Sequence, residues 1–184
     1  MISIRLTLAL LATAFAPGCA GVYVEKPIGD KPHPLVASDW NGVWILDTLV
    51  AHAAVTDAAA GTLRLHRMES EPDSTRVKLV AATAWFTESG DRRFVTFRDD
   101  EDKANEGRYV WALVRASKDQ LLVWWPDVDR LREFVREGKL AGRLDGDDVL
   151  LAAPTTAQLE ALASGAWGRV FHKDSPAVIR RVAH

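Results

Sequence analysis

The chain is poor in cysteine, and this scarcity excludes a domain held together by disulfides. Its 184 residues contain a single cysteine, Cys19. One thiol cannot form an intramolecular disulfide, and it cannot build a zinc site from paired cysteines. The role of Cys19 therefore has to be found in its own surroundings in the sequence.

Long apolar runs and an excess of one charge are also lacking. The most apolar segment, Leu6 to Ala16, has eleven residues, whereas a membrane-spanning helix needs about 20. Residues 1–18 carry only Arg5, so the remainder has 22 basic and 25 acidic side chains. This balance excludes a basic footprint for nucleic acid. Seven Trp and six Phe residues are enough to build the core of one domain.

Motifs for catalysis, cofactors and metals are absent from the sequence. There is no G-x-S-x-G, no glycine-rich phosphate loop and no H-E-x-x-H. No two of the five histidines (His33, His52, His66, His172 and His184) have the spacing of metal ligands. We therefore expect no metal and no cofactor, and we lean against an enzyme. A Ser-His-Asp set can still assemble by folding, so a hydrolase stays open.

The N-terminal 20 residues have the order of a signal peptide. Arg5 supplies the positive charge, the apolar run follows, and Ala16, Pro17 and Gly18 precede Cys19. An apolar run of this length is typical of the core of a secretory signal. The sequence therefore predicts export from the cytoplasm.

The same segment resembles the lipobox of bacterial lipoproteins. In that family the cysteine thiol takes a diacylglycerol, a peptidase cuts just before the cysteine, and the new amino group is often acylated. The resemblance implies cleavage between Gly18 and Cys19 and lipidation of Cys19. Because Cys19 is followed by Ala20 rather than by Asp, the resemblance also implies a location in the outer membrane of a Gram-negative envelope, facing the periplasm. Ala16, where Leu is commoner, and Pro17 depart from the usual pattern.

The remainder divides into a short linker and one domain. Residues 19–38 contain Pro27, Pro32 and Pro34, which favour an extended tether over a helix. The alternative is that Gly21 to Ile28 packs along the domain as an edge strand. The domain is expected to cover residues 39–184.

The domain begins with short segments of strand character separated by turn residues. The expected strands are 43–48, 51–56, 62–68, 76–87, 93–98, 108–116, 121–125, 148–152, 169–172 and 177–182. Ser89-Gly90-Asp91 is typical of a hairpin turn. Tyr109 to Val114 and Leu121 to Trp125 are apolar on both faces, as in strands that are covered on both sides.

Two helices are expected late in the chain. Pro126 is expected in the first turn of one helix, and Gly138 is expected just after its end. Thr155 and Gln158 form a capping box for the other helix, which Gly165 should end. The fold class is therefore α+β, mainly an antiparallel meander or small barrel of about eight strands with two late helices. Whether the sheet closes is left open.

The opening of the domain, ASDWNGVWIL, contains Trp40, Gly42 and Trp44. It resembles the Gly-x-Trp signature that opens the first strand of lipocalins. In that family the tryptophan closes one end of the barrel and an arginine from the last strand lies over it. The resemblance implies that Arg180 or Arg181 is the arginine that lies over this tryptophan. The alternative is a tryptophan that only anchors the first strand in the core.

Tryptophans are the candidate residues for a ligand cavity or for the core. The set is Trp44, Trp85, Trp111 and Trp124, together with Arg180. Trp124 and Trp125 are neighbours in one strand, so only one of them can face a given cavity. Core packing is the simpler interpretation of all of them.

Two acidic runs invite a cation-site interpretation. Asp99 to Asp102 lacks the ordered spacing and glycine turn of a calcium loop, and a solvated loop is expected instead. Asp145 to Asp148 is better explained as a turn.

Three functions remain open after the sequence is considered. The first is a membrane-anchored, non-catalytic envelope module that binds a protein or cell-wall partner. The second is a lipocalin-like carrier or sensor of a small apolar ligand, which requires a cavity of about 300 Å³ or more. The third is an envelope hydrolase with a scattered active site.

Overall fold

A computed structural model gives the fold and describes residues 20–47, 49–70, 77–101, 107–171 and 176–182. Cys19 and the predicted signal peptide lie outside the described residues. Twelve strands and three helices are present in the described part. The strands are β1 (Val22–Val24), β2 (Lys31–Pro32), β3 (Gly42–Leu46), β4 (Leu49–Asp57), β5 (Thr62–Ser70), β6 (Val77–Ser89), β7 (Arg92–Asp99), β8 (Tyr109–Ser117), β9 (Gln120–Trp124), β10 (Gly142–Asp145), β11 (Asp148–Leu151) and β12 (Ala177–Arg181). The helices are α1 (Ala37–Trp40), α2 (Val128–Arg136) and α3 (Thr156–Ser164).

Eight of the strands form a closed antiparallel barrel. Strands β3 to β9 pair in chain order, and β12 closes the ring between β9 and β3. This confirms the expected mainly antiparallel α+β fold and shows that the sheet closes. The short connections dictate the meander, because strands joined by tight turns pair with their chain neighbours. The hairpin expected at Ser89-Gly90-Asp91 joins β6 to β7, with Gly90 at φ 54°.

Alternation along the strands separates an inner from an outer face. In β8, Ala112 and Val114 face the barrel interior, whereas Trp111 and Leu113 belong to a cluster on the outside. Four consecutive residues of β8 are therefore buried. This confirms the expectation that the strand is covered on both sides.

A second layer covers the outer face of β7 and β8. The chain leaves the barrel after β9, forms α2, β10, β11 and α3, and returns as β12. Strand β11 pairs with β10 and, in parallel, with β1, and β1 pairs with the first residues of β8. The buried residues of this outer cluster include Phe94, Trp111, Leu131, Leu151 and Phe171.

The two late helices are confirmed, with one change at the start of the first. The N-cap of α2 is Asp127, whose carboxylate accepts a hydrogen bond from the Arg130 backbone at 3.1 Å. Pro126 therefore precedes the cap rather than standing in the first turn, because a capping carboxylate is the stronger start signal. The capping box of Thr155 and Gln158 and the left-handed Gly165 are present as expected.

In the described part of the proline-containing segment 19–38, the chain is packed along the domain, as in the alternative to the expected tether, but β1 pairs on both sides and is therefore not an edge strand. Strand β1 is fully buried, and Ile28 and Leu35 are also buried. Burial of these side chains in the two apolar clusters stabilises packing of the segment against the domain. The prolines limit the length of its strands but do not prevent this packing. The remaining expected strand, 169–172, is in the described part only a bridge between Phe171 and Pro126.

Gly61 shows how closely the N-terminal segment is docked. Its φ of 66° is in the left-handed region, and an added Cβ would lie 2.5 Å from the carbonyl oxygens of His33 and Phe86. Only a residue without a side chain fits between the two backbones.

Among the described helices, none is both long enough and apolar enough to cross a membrane.

Candidate functional site

The barrel encloses an apolar cavity of about 130 Å³. Its wall alternates large and small side chains on neighbouring strands. On β5, Leu63 and Leu65 face inward, and Leu65 lies between Ala53 on β4 and Ala82 on β6. Because the alanines are short, the larger side chains beside them do not fill the space between the walls.

One end of the barrel is closed by aromatic side chains. Helix α1 brings Trp40 against Trp44 and Phe86, with ring centroids 5.7 and 4.5 Å apart. The Trp44 indole N–H donates to the Trp40 carbonyl at 2.9 Å, which fixes the helix over the opening. Leu35 from the N-terminal segment is part of the same cluster.

An arginine of the last strand lies beside this closed end. Arg181 pairs across the strands with Trp44, so the two share the inner face. Its guanidinium donates to the Asn41 carbonyl at 2.7 Å. Arg180 pairs with Ile45 and faces outward. Among the described contacts, neither arginine lies over the Trp44 ring, so the stacking that the lipocalin resemblance implies is not present.

The described residues at the opposite end of the cavity include a charged pair. At this end, Leu46 at the end of β3 and Leu49 at the start of β4 line the cavity. Arg67 also lines the cavity and pairs with Asp99 at 3.4 Å, and each side chain is only 12% exposed. Because the guanidinium already has a carboxylate partner, the site does not require an anionic ligand.

The structure distributes the candidate tryptophans over three environments. Trp44 lines the cavity, together with Trp125. Trp111 is fully buried in the outer cluster, against which Trp124 also packs. Trp85 lies on the outer surface of the barrel, where its ring is 5.4 Å from Tyr109.

Of the neighbours Trp124 and Trp125, only one of which could face the cavity, Trp125 lines it, and Arg67 is a cavity residue that the sequence did not indicate. Alternation from Leu121 through Val123 would have placed Trp125 inside. The inward position of Arg67 follows from its place two residues after Leu65. From the sequence alone, however, a charged side chain is expected to face solvent.

A polar cluster holds the N-terminal segment against the end of β6. The buried Ser89 hydroxyl donates to Asp30 at 2.8 Å, and the Thr156 hydroxyl donates to the same carboxylate. The His33 Nδ1 is 2.6 Å from Glu88, which also pairs with Lys31 at 3.2 Å.

These contacts change the chemistry of both carboxyl groups in the polar cluster. Hydrogen bonds from Thr156 and Ser89 lower the pKa of Asp30. Hydrogen bonds from His33 and Lys31 lower the pKa of Glu88. A carboxylate with a lowered pKa is a weak base, and the Ser89 hydroxyl is buried and already donates to one. The polar cluster is therefore better suited to holding the N-terminal segment against β6 than to activating a nucleophile.

The acidic runs are paired rather than gathered around a cation. Asp100 lies 2.7 Å from Arg64, and Glu101 lies 2.8 Å from Lys78. In the second run, Arg108 bridges Asp145 and Asp148. Asp99 and Asp100 are mostly buried by these pairs, in contrast to the expected solvated loop. Asp102 lies outside the described residues.

Metal-binding groups do not converge in the part of the chain that the structure describes. No three side chains of His, Cys, Asp or Glu lie close enough there to hold one ion. His52 and His66 face each other across β4 and β5, while His172 and His184 are outside the described residues.

Comparison with known proteins gives no match to this chain among family models, curated proteins or solved structures.

Proposed function

We propose that this chain is a lipid-anchored envelope protein whose barrel binds a small, uncharged apolar group without catalysing a reaction. The cavity of about 130 Å³ carries the binding part of the proposal. The lipobox-like segment ending at Cys19 supports the anchor, and Ala20 supports an outer-membrane location facing the periplasm. The proposed partners are therefore the membrane and an apolar ligand.

The cavity volume restricts the class of ligand. It is smaller than the roughly 300 Å³ of sites that hold whole drug-sized molecules. An engineered apolar cavity of about 150 Å³ stays dry and binds benzene. The fitting ligand is therefore one small ring, or the end of a longer apolar chain.

The lipocalin resemblance is part of the same proposal. An eight-stranded up-and-down barrel is the architecture of lipocalins, and here Trp44 closes one end with an arginine of the last strand beside it. The hydrolase alternative gains less support, because the Ser89 hydroxyl is buried and committed to Asp30. A binding module for an envelope partner remains compatible with the anchor.

The binding proposal is tested by filling the cavity. Ala82 faces the cavity, whereas its neighbour Ala81 faces outward. We expect benzene to raise the melting temperature of the parent chain through binding to the folded state. Ala82→Leu should abolish this rise, and the matched control Ala81→Leu should keep it. If benzene and short alkanes leave the parent melting temperature unchanged, the proposal is wrong.

The anchor is tested separately by intact mass. Chain purified from the membranes of its native host should begin at Cys19 and carry acyl chains. A Cys19→Ala variant should lack that mass and should be released from the membrane fraction. Mature material that begins elsewhere, or that carries no acyl mass, would contradict the anchor but not the cavity.

A further inference from the structure

A second concave site lies on the outside of the barrel, at the edge of the layer that covers β7 and β8. It is a groove of about 460 Å³ between the β6–β7 turn and the end of β8, which is the size of a small-molecule site. Phe94 and Leu113 pair across the two strands and are buried under the outer layer. Two residues further on, Arg92 and Arg115 are exposed in the groove. We call this site the arginine groove.

The guanidinium groups of Arg92 and Arg115 share one face of the sheet. Arg93 pairs with Val114, so the next position of the same antiparallel register brings Arg92 beside Arg115. Alternation places both side chains on the outer face of the barrel. Because like charges at opposite positions destabilise a sheet, this pair lowers the stability of the fold unless an anion lies between the two groups.

The carboxylates near the groove do not neutralise this pair. In the described part of the chain, neither Arg92 nor Arg115 forms an ion pair or a side-chain hydrogen bond. Asp91 lines the groove but pairs with neither of them. Glu88 lies 4.0 Å from Arg93, the third arginine of the groove. The charge of Arg92 and Arg115 is therefore available to a ligand.

The opposite wall of the groove is apolar. Leu113 pairs with Trp124 across β8 and β9, and both residues line the groove. The Trp124 side chain is only partly buried, so part of its surface can be covered by a ligand. A molecule that fills the groove thus needs a negative group at one side and an apolar part at the other.

We propose that the arginine groove binds a phosphate monoester with an apolar or aromatic part. A carboxylate is satisfied by one guanidinium in a bidentate pair. A phosphate monoester has three terminal oxygens and a charge of about −1.5 to −2 at pH 7, which suits two adjacent guanidinium groups. Its apolar part packs against Leu113 and Trp124. This ligand is distinct from the uncharged group in the barrel cavity, and its binding does not depend on the anchor.

Calorimetric titration of the full chain in non-ionic detergent and phosphate-free buffer tests the site. We expect phenyl phosphate to bind more tightly than either inorganic phosphate or benzoate, and excess benzene not to compete with it. Absence of saturable phenyl phosphate binding overturns the proposal. Equal affinity for benzoate overturns the phosphate, and equal affinity for inorganic phosphate overturns the apolar part. Competition by benzene overturns the placement in the groove, since the ring would then occupy the barrel cavity.

Substitution of the two arginines locates the binding. Arg92→Gln and Arg115→Gln should each weaken phenyl phosphate binding by at least about tenfold, because each removes a charged hydrogen-bond donor. Arg180→Gln is the matched control, since Arg180 is also an exposed, outward-facing strand arginine and lies outside the groove. It should keep the parent affinity. Equal weakening in all three variants overturns the site in favour of general charge attraction.

Stability without ligand separates a binding role from a structural one. Arg115→Gln removes the cross-strand repulsion, so its melting temperature should be no lower than that of the parent. A clear decrease would show that the arginine holds the fold together, and would overturn the proposal.

A phosphate monoester can be soluble or can be the head group of a lipid, and competition distinguishes the two sources. Phosphatidylcholine vesicles that contain phosphatidic acid present a monoester, whereas those that contain phosphatidylglycerol present a diester. Displacement of phenyl phosphate from the parent by the first vesicles alone supports a lipid ligand. Displacement by neither supports a soluble one, and equal displacement by both overturns the preference for a monoester.

Discussion

Successive residues in the strands of this chain face opposite sides of the barrel wall, and this determines which side chains line the cavity. Trp124 packs against the outer cluster and Trp125 lines the cavity. Arg180 faces outward and Arg181 faces the closed end. The cause is the two-residue period of a strand, which sends successive side chains to opposite faces. At this scale, one position along the chain separates a cavity residue from a surface residue.

The two arginines of β12 provide a residue-scale prediction. Arg181→Ala removes the donor to the Asn41 carbonyl, so we expect the free energy of unfolding to fall by about 1 kcal/mol. Arg180→Ala should change it by less than about 0.5 kcal/mol. Urea denaturation of both variants provides the measurement. Equal losses would mean that the hydrogen bond does not stabilise the closed end.

At the scale of elements, the N-terminal segment acts as a strap across the barrel and the outer layer. Strand β1 joins β8 to β11, and β2 adds to the end of β6. Asp30 connects the strap to Ser89 at the end of β6 and to Thr156 at the start of α3. The strap thereby connects parts of the chain that are distant in sequence.

The strap should make stability sensitive to acid. The pKa values of Asp30 and Glu88 are lowered from their ordinary values of 3.8 and 4.5. Groups with lowered pKa values stabilise the fold above their ordinary pKa, and this contribution is lost as the pH falls through the lowered values. We therefore expect the free energy of unfolding to decrease below about pH 4.5.

Substitution of one strap carboxylate checks this assignment. Glu88→Gln should lower the free energy of unfolding at pH 7 and should differ less from the parent at pH 3, where the parent has lost the same interaction. Asp91→Asn, in the adjacent β6–β7 turn, is the control. A Glu88→Gln effect of the same size at both pH values would show that its charge is not what holds the strap.

At the scale of the whole molecule, two apolar clusters share the same strands. β7 contributes Phe94 to the outer cluster and Val95 to the barrel interior, and β8 contributes Trp111 and Ala112 in the same way. Because both clusters include residues of β7 and β8, separation of these strands from one cluster would also expose the other cluster to solvent. The helical layer and the barrel should therefore unfold as one cooperative unit.

A truncation in the outer cluster tests this coupling. Leu131 of α2 is fully buried, so Leu131→Ala should cost about 2–5 kcal/mol. The loss should lower the hydrogen-exchange protection of β4 and β5 as much as that of α2, although neither strand contributes a residue to the outer cluster. Val135→Ala on the same helix, where the side chain is only partly buried, should cost less. Unchanged protection in β4 and β5 would mean that the two layers unfold separately.

Local signals in the sequence determined most of the elements. Strand alternation, the hairpin at Gly90 and the capping box at Thr155 each depend on neighbouring residues, and each appears where it was predicted. The sequence also carries the lipobox-like segment around Cys19, which remains a prediction. Docking of residues 22–35 was not determined locally, because prolines and alternating valines fit a tether and an edge strand equally well.

Tertiary structure alone decided the closure of the barrel, the face of each tryptophan and the volume of the cavity. Closure depends on β12 meeting both β9 and β3 after an excursion that adds a second layer. The volume depends on which alanines face which leucines across strands, as Ala53, Leu65 and Ala82 do. Periodicity fixes the faces of one strand, but the register between strands is set by packing of the whole chain, and the space left inside follows from that register.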